Sequence, residues 1–221
     1  MLKADLHIHS EASYDCESSV DDILESAVEE SLDVVAVTDH DEIRGSHEAV
    51  ESAPDYGLTA VPGIEVSTAD GHLLALGVEE KIQSNEPVER TIEKVRECGG
   101  VAVIPHPFQR LRHGVGAVRD CDAVEVYNSR LLTGIANRRA RRFARTNDLP
   151  ELGGSDAHIP EMVGQTYTEI DAEPEVESVL DAIRKGHTEV YGRRTPLLHT
   201  AQQFVARVPG RVKHDLLSLF S

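Results

Sequence analysis

Two histidines stand one residue apart near the start of the chain, in the stretch DLHIHS. Because a β-strand points alternate side chains to the same face, His7 and His9 should face the same way. Imidazole and carboxylate groups gathered on one face can bind a divalent metal ion. The pair by itself is equally compatible with chance, so the prediction depends on whether the chain supplies further ligands.

Further histidines and carboxylates lie where the predicted strands end. Asp156 and His158, in GSDAH, repeat the one-residue spacing of the first pair. A single histidine on a strand is more often satisfied within the core than bound to a metal. Six of the 11 histidines fall at strand ends, however, which chance explains poorly, and a metal site is therefore predicted. The full set of candidate ligands is His7, His9, Asp15, His40, Glu65, His72, His106, Asp156 and His158.

The elements that must position these groups alternate between strand and helix. KADLHIH, DVVAVTDH and GVAVIPH are typical of buried strands, whereas SVDDILESAVEES and VERTIEKVREC have the periodicity of amphipathic helices. This alternation predicts parallel strands joined by right-handed crossovers. Since polar residues recur at so many strand ends, a closed or nearly closed (β/α) barrel with its ligands at one mouth is favoured over an open sheet.

The composition narrows the class of protein. Apolar residues form 40% of the 221 residues, enough for the core of one large domain. The formal net charge of -17 repels polyanions unless positive charge is concentrated locally. Three cysteines without CxxC spacing favour a reducing compartment, and no apolar run approaches the length of a membrane span. We therefore expect a cytoplasmic protein that does not associate with a membrane.

Five motifs, DLHIHS, TDHD, PGIE, HP and GSDAH, occur in this order and resemble those of the PHP family, named for polymerase and histidinol phosphatase. The resemblance extends over residues 3–192. It implies an α/β fold, a distorted (β/α)7 TIM-like barrel, over residues 1–195. It also implies a three-metal site that hydrolyses phosphate esters.

The resemblance further implies how the ligands are divided among the metals. Two or three divalent ions, Mn, Zn or Fe, would be the cofactors, and the sequence does not choose among them. Glu65, Asp156 and His158 are also predicted to be catalytic. The first ligand set is His7, His9, Glu65 and Asp156; Glu65 bridges to a second set completed by His72 and His106; the third set is Asp15, His40 and His158.

The predicted reaction is hydrolysis of a phosphate mono- or diester with a metal-bound hydroxide as the nucleophile. The substrate would be a small metabolite, a nucleotide or an oligonucleotide end. Asn128, Arg130 and Arg193 are predicted to contact it, since a guanidinium pairs well with phosphate, although surface ion pairs are an equal alternative for the arginines. The alternative functions are a metal-dependent hydrolase of a non-phosphate bond and a non-catalytic metal or nucleotide sensor.

Three further features have two interpretations each. Asp39 and Asp41 either orient the metal ligands or are solvated loop acids. The basic stretch NRRARRFAR could follow a nucleic-acid backbone, but a helix face paired with neighbouring acids is favoured. Residues 196–221 are expected to form a C-terminal helical extension packed on the barrel, with a homodimer contact or a partner-binding helix as the alternative.

Overall fold

The structure is a computed structural model that describes residues 1–109, 113–131 and 134–193. The helical extension predicted over 196–221 lies outside the described residues. The strands are β1 (Leu2–Ile8), β2 (Val34–Val37), β3 (Thr59–Ala60), β4 (Gly63–Ser67), β5 (His72–Leu76), β6 (Val101–Ile104), β7 (Ala123–Asn128), β8 (Glu151–Gly154), β9 (Thr166–Ile170) and β10 (Thr188–Gly192). The α-helices are α1 (Val20–Glu29), α2 (Arg44–Ser52), α3 (Val88–Glu97), α4 (Gly134–Thr146) and α5 (Val176–Arg184).

The strands form two five-stranded sheets. Their orders are β10-β9-β1-β2-β3 and β4-β5-β6-β7-β8. The predicted α/β class is confirmed. The predicted parallel pairing holds for β1–β2, β2–β3, β6–β7 and β7–β8, but not for the other neighbouring pairs. Strand β5 runs antiparallel to both β4 and β6, and β9 runs antiparallel to both β1 and β10.

The two sheets meet at two single-residue bridges. One joins Ile8 to Ala157, and the other joins His40 to Glu65. Within the described residues the ladders remain two separate sheets, so the closed form of the predicted closed or nearly closed barrel is not observed. Both bridges involve or adjoin candidate ligands, which places these residues at the junction between the sheets.

Three clusters of buried apolar side chains stabilise the fold. The central cluster combines side chains from both sheets, such as Leu6 and Leu74, with the buried face of α5. A second cluster packs β4–β7 against α3 and α4, and a third packs β1 and β2 against α1 and α2. The core is built mainly from Val, Leu, Ile and Ala, as expected for a chain with 4% aromatic residues.

Helix α1 shows how local sequence fixes an element that borders the site. Ser19 is its N-cap, and the Ser19 hydroxyl accepts a hydrogen bond from the Asp22 N–H at 3.1 Å. Asp21 and Asp22 in the first turn suit the positive end of the helix dipole. The capped start of α1 ends the loop that carries Asp15. In the part of the chain that the structure describes, no helix is both long and apolar enough to cross a membrane.

Candidate metal centre

The nine candidate ligands come together where the sheets meet. Most of them lie at or just beyond the carboxyl end of a strand, as predicted. His72 is different, because it is the first residue of β5. Since β5 is antiparallel to β4, its first residue pairs with Ser67, the last residue of β4, and His72 therefore reaches the same end of the sheet.

The ligand atoms form four overlapping groups, within each of which they lie within 4.8 Å of one another. Every one of the nine predicted residues belongs to at least one group. The predicted set of Asp15, His40 and His158 lies inside one group, which His9 joins, whereas His106 groups with His7 and Asp156. The groups are His9, Asp15, His40 and His158; His7, His106 and Asp156; His7, His9 and Glu65; and His40, Glu65 and His72.

Glu65 is the centre of the cluster. Its side chain is 1% exposed, and five imidazoles surround its two carboxylate oxygens. Burial alone would raise the pKa of Glu65, but the imidazoles, chiefly those of His40, His7 and His72, hold it well below its usual range. The nitrogen-to-oxygen distances to Glu65 are 3.4 Å from His7, 3.3 Å from His9, 3.1 Å from His40, 2.9 Å from His72 and 3.2 Å from His106.

Two other carboxylates complete the cluster. Asp156 Oδ1 lies 3.5 Å from His9 Nε2, and Asp15 Oδ2 lies 3.0 Å from His158 Nε2. Burial alone would lower the pKa of His9, but Asp156 and Glu65 outweigh it and raise the pKa to about 9. Burial lowers the pKa of His158 to about 4, so this imidazole is neutral at pH 7 and able to act as a ligand.

Several buried imidazole nitrogens in the cluster form no well-aligned hydrogen bond within the described residues, although His9 Nε2 and His40 Nδ1 lie 3.3 Å and 3.1 Å from the Glu65 carboxylate. They are both ring nitrogens of His9, together with Nδ1 of His40 and Nδ1 of His106. Leaving such polar atoms unpaired costs about 1–3 kcal/mol each, which a bound cation would offset. Imidazole and carboxylate donors suit Zn, Mn and Fe, so the residues present fit divalent metal ions.

Glu125 contacts two of the candidate ligands, His7 and His106, and was not among the predicted site residues. It is 1% exposed, its Oε1 lies 2.9 Å from His7 Nδ1, and its Oε2 accepts a hydrogen bond from the His106 N–H at 2.8 Å. A carboxylate on the second ring nitrogen of a ligating histidine fixes the tautomer and the ring orientation. The available signal was a single charged residue inside the otherwise apolar strand AVEVYN.

Asp39 and Asp41, each with two interpretations in the sequence, both organise the backbone around the site. Asp39 is buried and accepts hydrogen bonds from the N–H of Ser10 at 2.6 Å and from its hydroxyl at 2.7 Å. Asp41 accepts a hydrogen bond from the Ser67 N–H at 2.8 Å. Neither is a freely solvated loop acid, because each joins segments that carry ligands.

Of the three predicted substrate contacts, the structure brings two to the cluster. The Arg130 guanidinium donates to Asp156 Oδ1 at 3.0 Å, and the Asn128 amide donates to Asp156 Oδ2 at 3.2 Å and to Glu125 at 3.1 Å. Asn128 is 1% exposed, and its hydrogen bonds orient the carboxylates of Asp156 and Glu125. Arg193 forms its ion pair with the exposed Glu30 at 3.2 Å, away from the nine residues.

The arginines of α4 are partly paired with acids. Arg141 and Arg145 lie 3.4 Å and 2.7 Å from the carboxylate of Glu151. The Arg139 guanidinium lies over the Phe108 ring, 4.4 Å from its centroid. These contacts fit the interpretation of NRRARRFAR as a helix face paired with its neighbours.

The chain is similar to a known family model and to several known proteins. A family model described as PHP-associated matches residues 134–188. An uncharacterised protein of Methanocaldococcus jannaschii is 36% identical over 152 residues, which cover 63% of this chain and 89% of the relative. A phosphoribosyl 1,2-cyclic phosphate 1,2-diphosphodiesterase of Eggerthella lenta is 39% identical over 82 residues, 34% of this chain and 31% of the relative.

A solved structure resembles the whole described fold. It is a two-domain protein of Bacteroides vulgatus that contains a predicted PHP-like metal-dependent phosphoesterase, with a TM-score of 0.75 and 19% identity. The match covers 93% of this chain and 69% of that chain.

Fold and site together define an α/β protein with a buried histidine–carboxylate cluster suited to divalent metal ions. The chain belongs to the PHP family, as its five motifs predict.

Proposed function

We propose that this protein is a metal-dependent phosphoesterase that hydrolyses a phosphate mono- or diester. The observation that carries the proposal is the arrangement of five imidazoles around the buried carboxylate of Glu65. A carboxylate so placed can bridge two cations, and paired cations are a recurrent device for phosphoryl transfer. The diphosphodiesterase of Eggerthella lenta and the PHP-like neighbour support the same class of reaction.

In this proposal the nine candidate ligands hold two or three divalent ions, of which Mn, Zn and Fe fit the donor set. Bound ions of this kind polarise a phosphoryl oxygen and lower the pKa of water to about 7. Glu65 and Asp156 supply the negative charge that retains the ions, and His158 is oriented by the Asp15 carboxylate 3.0 Å away. The near-complete burial of the ligands excludes bulk water and strengthens these electrostatic interactions.

Arg130 is the proposed phosphate contact of the protein itself. Its guanidinium is anchored to Asp156 at 3.0 Å, and its side chain remains 20% exposed. A guanidinium has five N–H donors, so the ion pair with Asp156 leaves others for phosphate oxygens. Asn128 stabilises this geometry, because its side-chain carbonyl accepts a hydrogen bond from the Arg130 N–H at 3.0 Å.

The test is phosphate release by protein stripped of metal and reloaded with Mn, Zn or Fe. The substrates should extend from p-nitrophenyl phosphate and its bis-ester to nucleoside phosphates and short RNA. His40→Ala and His158→Ala should abolish turnover while circular dichroism shows an intact fold. His47→Ala is the matched control, since His47 is exposed and bonds the Glu79 carbonyl at 2.7 Å, outside the cluster.

Metal-dependent release that both cluster variants lose, and that the control retains, supports the proposal. Full activity in His40→Ala and His158→Ala would show that the site is assigned wrongly. Tight metal binding without turnover of any ester would instead favour a metal sensor or a hydrolase of another bond.

A further inference from the structure

His113 lies outside the cluster and contacts one of the candidate ligands, His72. It lies on the segment that follows His106, and its Nδ1 is 3.2 Å from Nε2 of His72. The two rings meet edge to face with centroids 4.8 Å apart. In addition, the His72 N–H donates a hydrogen bond to the His113 carbonyl at 2.9 Å. Residue 113 therefore contacts residue 72 through both the side chain and the main chain.

Two glycines let the segment of His113 approach β5 closely. Gly71 has a φ of +144°, and a Cβ there would lie 2.9 Å from the Val115 nitrogen and 3.0 Å from the His113 carbonyl oxygen. A Cβ on Gly114 would lie 2.6 Å from the Pro107 carbonyl oxygen. Side chains at these two positions would push the segments apart. Main-chain packing therefore places the imidazole of His113 against His72.

The other nitrogen of His72 faces the cluster. His72 Nδ1 lies 2.9 Å from Glu65 Oε1, on the opposite edge of the ring from His113. A neutral imidazole carries one N–H and one lone pair. If Nδ1 offers its lone pair to a metal ion, then Nε2 carries the hydrogen and needs an acceptor. His113 Nδ1 is placed to be that acceptor.

We propose that His113 is a positioning residue that accepts the Nε2–H of His72 and so keeps the Nδ1 lone pair of His72 directed at a divalent ion. The proposal rests on the metal site proposed above. It gives His72 the same kind of support that Glu125 gives His7, with a neutral acceptor in place of a carboxylate. Partners of this kind fix both the tautomer and the ring orientation of a ligating histidine.

The test compares His113→Ala, His113→Asn and the control His47→Ala in the full chain. Metal content after gel filtration and affinity for Mn and Zn by chelator competition are the readouts, together with thermal unfolding of the metal-free protein. His113→Ala should weaken the binding of one ion by about 10–100-fold. Asn places a carbonyl oxygen near the position of Nδ1, so His113→Asn should recover most of the affinity, and His47→Ala should behave as the unaltered protein does.

Equal metal affinity in His113→Ala and the unaltered protein would overturn the proposal and leave the proposed function standing. Equal loss in the Ala and Asn variants would also overturn it, because a hydrogen-bond acceptor would then not suffice. A loss that follows a lowered unfolding temperature of the metal-free protein would indicate a merely structural role. If the unaltered protein binds no divalent ion, both the proposed function and this inference are wrong.

Discussion

The Glu125→Gln substitution replaces one carboxylate oxygen with an NH₂ group, and it should lower the metal affinity of the candidate site. Glu125 faces three groups: His7 Nδ1 at 2.9 Å, the His106 N–H at 2.8 Å and the Asn128 amide at 3.1 Å. A carboxylate accepts on both oxygens, whereas a carboxamide accepts on only one. If the amide NH₂ faced the donors of His106 and Asn128, two buried donors would be unpaired, at about 1–3 kcal/mol each.

The favoured orientation therefore turns the NH₂ toward His7. His7 Nδ1 must then accept, and the ring proton moves to Nε2, the nitrogen 3.4 Å from Glu65 Oε2 that faces the cluster. A protonated Nε2 cannot ligate, so metal affinity should fall by about 10–100-fold. Exchanging charged for neutral hydrogen bonds should also lower the free energy of unfolding by about 1–3 kcal/mol.

Urea denaturation in a chelator measures the stability change, and chelator competition with Mn or Zn measures the metal affinity. Glu93→Gln is the matched control, because Glu93 is 62% exposed and its ion pair with Arg90 is worth little. Unchanged stability and unchanged metal affinity in Glu125→Gln would refute the role given to this carboxylate. A stability loss without any affinity loss would refute the tautomer argument alone.

Three further predictions concern single side chains. Arg130→Gln should raise the KM for a phosphoester, because it removes the guanidinium that is proposed to contact phosphate, whereas Arg193→Gln should not; equal kinetics in both variants would contradict this. Gly154→Ala should cost about 1–3 kcal/mol in urea denaturation, since its Cβ would lie 2.5 Å from Glu125 Oε1, and an unchanged midpoint would count against that packing. Iodoacetamide at pH 8 should label Cys98 in the native protein, because Cys98 is exposed, while burial raises the pKa of Cys121 to about 12; mass spectrometry showing Cys121 labelled first would contradict this.

The sequence predicted the members of the cluster from their joint placement at strand ends, because each residue alone was ambiguous. The two-residue period of a strand places His7 and His9 on one side, and their ring centroids are 5.2 Å apart. Glu125 is not at a strand end. It lies inside β7 and its partner His7 is 118 positions away, so its role can be recognised only in the folded structure.

Some of the strand directions could likewise be predicted from the sequence, and others could not. Only residues 68–71 separate β4 from β5, too few for the dozen or more that a parallel crossover needs, so this antiparallel pair was within reach of the sequence. Strands β9 and β10 were not, because helix α5 lies between them and such an order normally indicates a parallel pair. Their antiparallel register, Thr188 opposite Ile170, is set by tertiary packing.

The acidic character of the chain bears directly on the proposed chemistry. A phosphoester approaching the cluster meets three buried or half-buried carboxylates, Asp15, Glu65 and Asp156, on a protein with a formal net charge of -17. Arg130 offsets part of this charge, as does His9, whose pKa is raised to about 9, but both lie against Asp156. Two divalent ions would add more positive charge than the three carboxylates remove and would reverse the sign of the local field. In the proposed function, the carboxylates that face an approaching phosphate are the same groups that would retain the ions. If the proposed function is correct, charge alone would make phosphoester binding stronger with the ions bound than without them.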